Sequence, residues 1–206
     1  MLRLLFSLTS QFLFIALLEN EKCLKSIQKV NFRQHSENFS PILRKILAKT
    51  NHSLKKIEEV YFTSLPGSQA GYRISLAFVL TLQVLNPQVK IYHLNSLLFQ
   101  VGKKRAISLI SIDQKKTKYY VAVYQATKCL VEKKVVNPVE LAQIQRHFFY
   151  YLVYEDFHQK PDQGLTNLPS KKIKFLVNFR QLLPHFQLLE KNTIKNKTNT
   201  NLLTLL

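Results

Sequence analysis

The chain has 206 residues, 46% of them hydrophobic and 20% charged, which excludes a disordered chain and suits one domain or two small subdomains sharing a core. Thirty lysines and arginines against 12 acids leave a net charge of +18, which favours polyanionic partners, nucleic acid first; a solvated lysine-rich surface is the plainer reading. Cys23 and Cys129 form no C-x-x-C pair and no disulfide framework, so a reduced, cytoplasmic setting is expected.

Residues 1–18 superficially resemble a signal peptide, with Arg3 ahead of a Leu- and Phe-rich run. Ser7, Thr9, Ser10 and Gln11 interrupt that run, and the clean apolar stretch 12–18 is too short to span a bilayer. Glu19-Asn20-Glu21-Lys22 is turn-like rather than a cleavage site. The segment therefore predicts strands over 2–8 and 12–18 and a third over 23–30, an antiparallel meander. A secreted chain, the remote contrary reading, would show a mature N-terminus beyond residue 20.

The period then changes. Phe39, Ile42, Leu43, Ile46 and Leu47 recur at helical spacing, with Ser36 as the expected N-cap and Asn51 as a left-handed stop. A strand over 59–64 runs into the loop Leu65-Pro-Gly-Ser-Gln-Ala-Gly71. Residues 72–85 predict a helix that is apolar almost all round, so it should pack on a sheet and on a second helix, in this chain or in a partner. A strand over 89–93 and a short helix capped by Asn95-Ser96 follow. In the second half, strands are expected over 106–112 and 119–124, with a polar turn over 113–118 between them. Asn137-Pro138-Val139-Glu140 opens a helix expected to reach about 153. Residues 155–170 read as a loop, 171–179 as a strand, and 191–206 as a polar tail. The domain reading is 1–100, 101–190 and a flexible 191–206.

Local chemistry is sparse. No two histidines stand at i, i+3 or i, i+4, so no metal site is expected. Asp113 is a strand-end acid whose plain reading is a turn cap. Ser68 does not lie in a G-x-S-x-G elbow, because position 66 is Pro; a hydrolase nucleophile is disfavoured. The loop around Gly67 and Gly71 reads either as a phosphate contact made by backbone N–H groups or as a tight strand-to-helix turn.

Five motifs, in order and spacing, carry a resemblance. They are His35-Ser36-Glu37 with Pro41-Ile42-Leu43; Leu54 to Val60; Leu65 to Ser75; Leu94-Asn95-Ser96-Leu97; and Ser111-Ile112-Asp113 with Tyr119-Tyr120-Val121. Together they resemble the TsaB family, whose corresponding runs read H-S-E-x-L-x-P-x-I, L-x-D-I-D-x-I, G-P-G-S-F-T-G-L-R-I-G, V-S-S-L and I-D-A-R-x-x-E-V-Y. A late Val177-Asn178-Phe179-Arg180 is similar to the family's P-x-Y-L-R. The match is good over about 2–125.

That resemblance implies an α/β fold of the actin-like ATPase superfamily, with an RNase H-like mixed sheet, flanking helices and two subdomains, the second shortened. It implies a non-catalytic scaffold that pairs with a TsaD-like catalytic subunit, which transfers threonylcarbamoyl to the adenosine beside the tRNA anticodon. A TsaE-like ATPase and tRNA would join the complex, ATP would be used by the partner subunits, and no cofactor would be bound by this chain itself. The implied pairing surface, for TsaD or a homodimer, is Phe39, Ile42, Leu43 and Ile46 with Ile74 and Phe78. The family loop falls on Pro66, Gly67, Ser68, Gly71 and Arg73. The departures are Leu8 where active relatives hold an acid, Leu65 for the first loop glycine, Gln69-Ala70 for Phe-Thr, and Ser75 for the last glycine. Losing the acid and a backbone-exposing glycine is expected to weaken any nucleotide site. The competing readings are a stand-alone basic tRNA-binding protein and a peptidase or ATPase dependent on Ser68 or Asp113. No membrane association is expected.

Overall fold

The structure is a computed structural model that describes residues 1–10, 12–30, 35–113, 117–148, 152–155 and 173–189. The first sheet begins as the expected meander: β1 (Leu2–Ser7), β2 (Phe12–Glu19) and β3 (Lys22–Val30) pair antiparallel. Asn20, at φ 52°, lies in the tight turn between β2 and β3. Helix α1 (His35–Thr50) follows, with Ser36 already inside its first turn rather than at the cap. Asn51 ends it at φ 55°, the left-handed stop that its short polar side chain tolerates.

β4 (Glu59–Ser64), α2 (Gln69–Leu85) and β5 (Lys90–Asn95) form a βαβ unit, with β4 parallel to both β1 and β5. α3 (Ser96–Val101) leads into the second sheet: β6 (Arg105–Ser111), β7 (Tyr119–Gln125) and β8 (Lys128–Val136), paired antiparallel. α4 (Pro138–His147) and β9 (Leu152–Glu155) follow, β9 lying parallel to β6. α5 (Phe175–Leu182) and β10 (Gln187–Leu188) complete the described chain, β10 returning to the first sheet beside β5. The strand orders are β10-β5-β4-β1-β2-β3 and β8-β7-β6-β9.

Alternation along the strands sorts the core into three apolar layers. Leu4, Phe6, Leu13 and Ile15 face α1 and α2. Leu5, Phe14 and Ala16 point the other way, to α3, α5 and the inner face of the second sheet at Ala106, Ile110 and Ala122. Ile107, Leu109, Val121 and Val123 pack outward on Leu141 and Ile144 of α4. The layers therefore run helices, sheet, helices, sheet, helix.

Two further expectations are corrected, and one strand is added. The helix opened by Asn137 has the expected capping box but ends at His147; Leu152–Glu155 is a strand, because it completes the open edge of β6. The strand expected over 171–179 is helix from Phe175. Its loose alternation also contains Phe175, Phe179 and Leu182 at i, i+4 and i+7, and that face wins: Phe175 stacks on Phe14 at 4.6 Å and Phe179 meets Tyr61 edge-on at 5.0 Å. β8, unassigned from sequence, pairs with β7 although almost all of it is exposed, so it carries no inward alternation to read. The expected loop over 155–170 lies outside the described residues apart from Glu155, and the tail over 191–206 wholly so.

Candidate functional site

The loop that follows β4 closes on the turn after β1. Gly67 sits at φ 139° with its Cα against the Thr9 carbonyl, and Gly71 lies against the Leu8 carbonyl; a methyl group at either position would overlap those oxygens. Ser68 N–H donates to Thr9 O at 2.7 Å. Ser68 also caps α2, its hydroxyl accepting from Gly71 N–H at 3.0 Å and its carbonyl from Tyr72 N–H at 3.0 Å. Ser96 Oγ donates to the Pro66 carbonyl. The N–H groups of Ser68, Gly71 and Tyr72 are thus satisfied within the chain, which is the tight-turn reading of this loop.

Beneath the loop lies a buried cluster of hydroxyls. Thr63 Oγ1 lies 2.9 Å from Ser7 Oγ and 2.7 Å from Thr9 Oγ1, and all three residues are buried. Leu8 is fully buried in the layer under α1 and α2. Arg73 is exposed on α2, one turn from the loop. Burial pushes the neighbouring Tyr72 hydroxyl above its usual range.

Asp113 is remote from this loop, at the end of β6. Its carboxylate accepts from Thr117 N–H at 2.8 Å and from Thr117 Oγ1, while its own carbonyl accepts from Ser111 Oγ at 2.6 Å. It closes a turn.

The six apolar residues expected at a pairing surface divide. Phe39, Leu43 and Ile46 are buried in the chain's own core; Ile42, Ile74 and Phe78 are half-buried at its margin. Phe39 and Phe78 meet edge-on at 5.1 Å, tying α1 to α2. The outward stripe that sequence reasoning missed is Ala70, Arg73, Ala77, Thr81 and Val84 on α2, all exposed, Val84 to 82%. Its signal was present: the 17 residues of α2 hold one charge, Arg73. Among the described residues no group of three or more His, Cys, Asp or Glu is placed to hold a metal ion, and no helix is long and apolar enough to cross a membrane.

Residues 27–147 match the family described as TsaD, tRNA N6-adenosine threonylcarbamoyltransferase. The chain belongs to the TsaD family. This TsaD-family chain is 31% identical over 110 residues to an uncharacterized protein of Mycoplasma genitalium, a match covering 52% of the chain and 54% of that relative. It spans about half the length of the curated relative it matches. Its fold is similar to YeaZ from Pseudomonas aeruginosa, with TM-score 0.66 at 18% identity over 94% of this chain and 97% of that one. A second solved structure, described as similar to peptidase YeaZ from Pseudomonas aeruginosa, matches with TM-score 0.63 at 19% identity, covering 92% and 94%. The α/β, actin-like, mixed-sheet architecture expected of a TsaB-like member of the TsaD family is the one found.

Proposed function

We propose that this chain is a non-catalytic, TsaB-type subunit that pairs through the outward side of α2 with a TsaD-like catalytic subunit, in the assembly that forms threonylcarbamoyladenosine in tRNA. The observation that carries the reading is α2 itself. A 17-residue helix whose single charge, Arg73, lies in an exposed stripe otherwise made of Ala70, Ala77, Thr81 and Val84, flanked by half-buried Ile74, Phe78 and Leu80, is built to be covered. Small residues along the stripe let a second helix approach closely. Phe39, Leu43 and Ile46 support this surface from inside rather than forming it.

The non-catalytic part of the reading is supported by the loop. Leu8 stands where the resemblance places an acid in active relatives, and three of the loop's N–H groups, those of Ser68, Gly71 and Tyr72, are bonded within the chain. On this reading ATP is handled by partner subunits, a TsaE-like ATPase among them, and tRNA is held by the assembled complex.

Co-purification with the TsaD protein of the same organism tests the pairing. Wild type forms a stable complex, and Ala77→Glu and Val84→Asp abolish it while leaving the chain folded, because both positions are exposed. A folded wild type that ignores TsaD sinks the reading. ATP turnover by the isolated chain, lost on Ser68→Ala, would overturn the non-catalytic assignment.

A further inference from the structure

Four of the chain's 30 basic residues meet at one tip of the second sheet. Lys103, Lys104 and Arg105 lead into β6, and the β7–β8 hairpin ends on Lys128. The register brings them together: Arg105 pairs with Gln125, Gln125 pairs with Lys128, and Ala126 N–H donates to the Lys104 carbonyl at 3.1 Å. Lys103, Arg105 and Lys128 are exposed, and Lys104 is partly so. No acid lies within residues 103–105 or 125–128, and none of these seven residues is large and apolar.

We propose that this tip is a contact surface for the phosphate backbone of RNA, an inference that rests on the chain working in a tRNA-modifying assembly. Two features favour RNA over an acidic protein. Protein interfaces gather aromatic and apolar residues at their centre and are depleted of charge there. Surfaces that hold nucleic acid are polar and strongly positive, as this tip is. The tip also lies clear of the proposed pairing face. α2 covers the outer side of the first sheet, whereas β6 and β7 lie beyond its opposite side. A TsaD-like subunit seated on α2 would leave the tip open to a tRNA held by the complex.

The test is fluorescence anisotropy of labelled tRNA on the full chain across a salt series. The variant Lys103→Glu/Arg105→Glu/Lys128→Glu is compared with Lys25→Glu/Lys133→Glu/Lys134→Glu, which makes the same charge change on β3 and the far part of β8. Each lost phosphate contact flattens the slope of log K against log salt by about 0.7–0.9, so the tip variant should show a slope shallower by about 2–3 with the control unchanged. Thermal melts confirm that both variants fold. The proposal is overturned if wild type binds no tRNA at low salt, if both variants lose affinity alike, or if neither does. It is also overturned if polyglutamate of matched charge displaces tRNA as well as unlabelled tRNA does. Capture of TsaD is read separately on the same variants. Tip variants that capture TsaD normally while losing tRNA support the proposal. A wild type that binds tRNA at the tip but captures no TsaD overturns the pairing and leaves the tip assignment standing.

Discussion

Gly71, at the start of α2, lies directly against the Leu8 carbonyl oxygen, so the helix approaches the end of the first strand with no room for a side chain between them. Gly71→Ala must push α2 away from that strand. The expected cost is about 3 kcal/mol, a fall in Tm of roughly 6–12 °C for a chain of this size. Calorimetry of the purified variant checks it, and a change under about 1 kcal/mol would mean that the helix shifts freely.

Asn178 on α5 is buried, and its Nδ2 donates to the carbonyls of Phe99 and Gln100 at 2.8 Å each. These belong to the last turn of α3, where helical partners run out. Asn178→Ala leaves two buried acceptors unmade, at an expected cost of about 2–4 kcal/mol. Hydrogen exchange should show the loss concentrated in α3 and β6. Asn178→Asp, which restores neither donor, should not rescue it.

Burial pushes the hydroxyls of Tyr61, Tyr72 and Tyr124 above the usual tyrosine range. For Tyr61 the bond its hydroxyl donates to Glu59 at 2.8 Å, and the Glu59 charge, add to the effect. The sign follows from linkage. The unfolded chain ionises near pH 10, the folded one only above that, so the contribution is complete below about pH 10 and is lost as pH rises further. Urea midpoints should fall as pH rises above about 10, and Tyr61→Phe with Tyr124→Phe should flatten that fall. An unchanged slope in the double variant would assign the alkaline loss to other groups.

Asp113 closes a turn, so its removal should be a local matter. Asp113→Ala is expected to cost about 1 kcal/mol, through the lost bonds to Thr117, and to leave TsaD capture and tRNA modification by the complex at wild-type rates. A tenfold drop in modification rate with the fold intact would return Asp113 to the list of functional acids.

Much of the first half was legible because its signals are local. Period-2 and period-3.6 patterns, the cap at Asn95 and the stop at Asn51 lie within a few residues of the structure they specify. The glycine loop was legible as a position but not as a state. A turn with two glycines reads alike whether its N–H groups point to a ligand or, as for Ser68 and Gly71, to Thr9 and to the Ser68 side chain. The segment around Phe175 was misread because its apolar residues satisfy both periods. Only contact with Phe14 and Tyr61 chooses between them.

The sequence by itself determined the βαβ half and the family to which the chain belongs, since each is written in residue type and order. The tertiary structure decided which side of each helix is available. Phe39, Leu43 and Ile46 carry the apolar character of an interface, yet they are consumed by the sheet beneath them; Ala77, Thr81 and Val84, weaker in hydrophobicity, are the ones left outside. It also brought Lys128, at the start of β8, to the same tip as Lys103 and Arg105 at the start of β6. Burial and convergence depend on long-range packing, and no spacing rule along the chain encodes either.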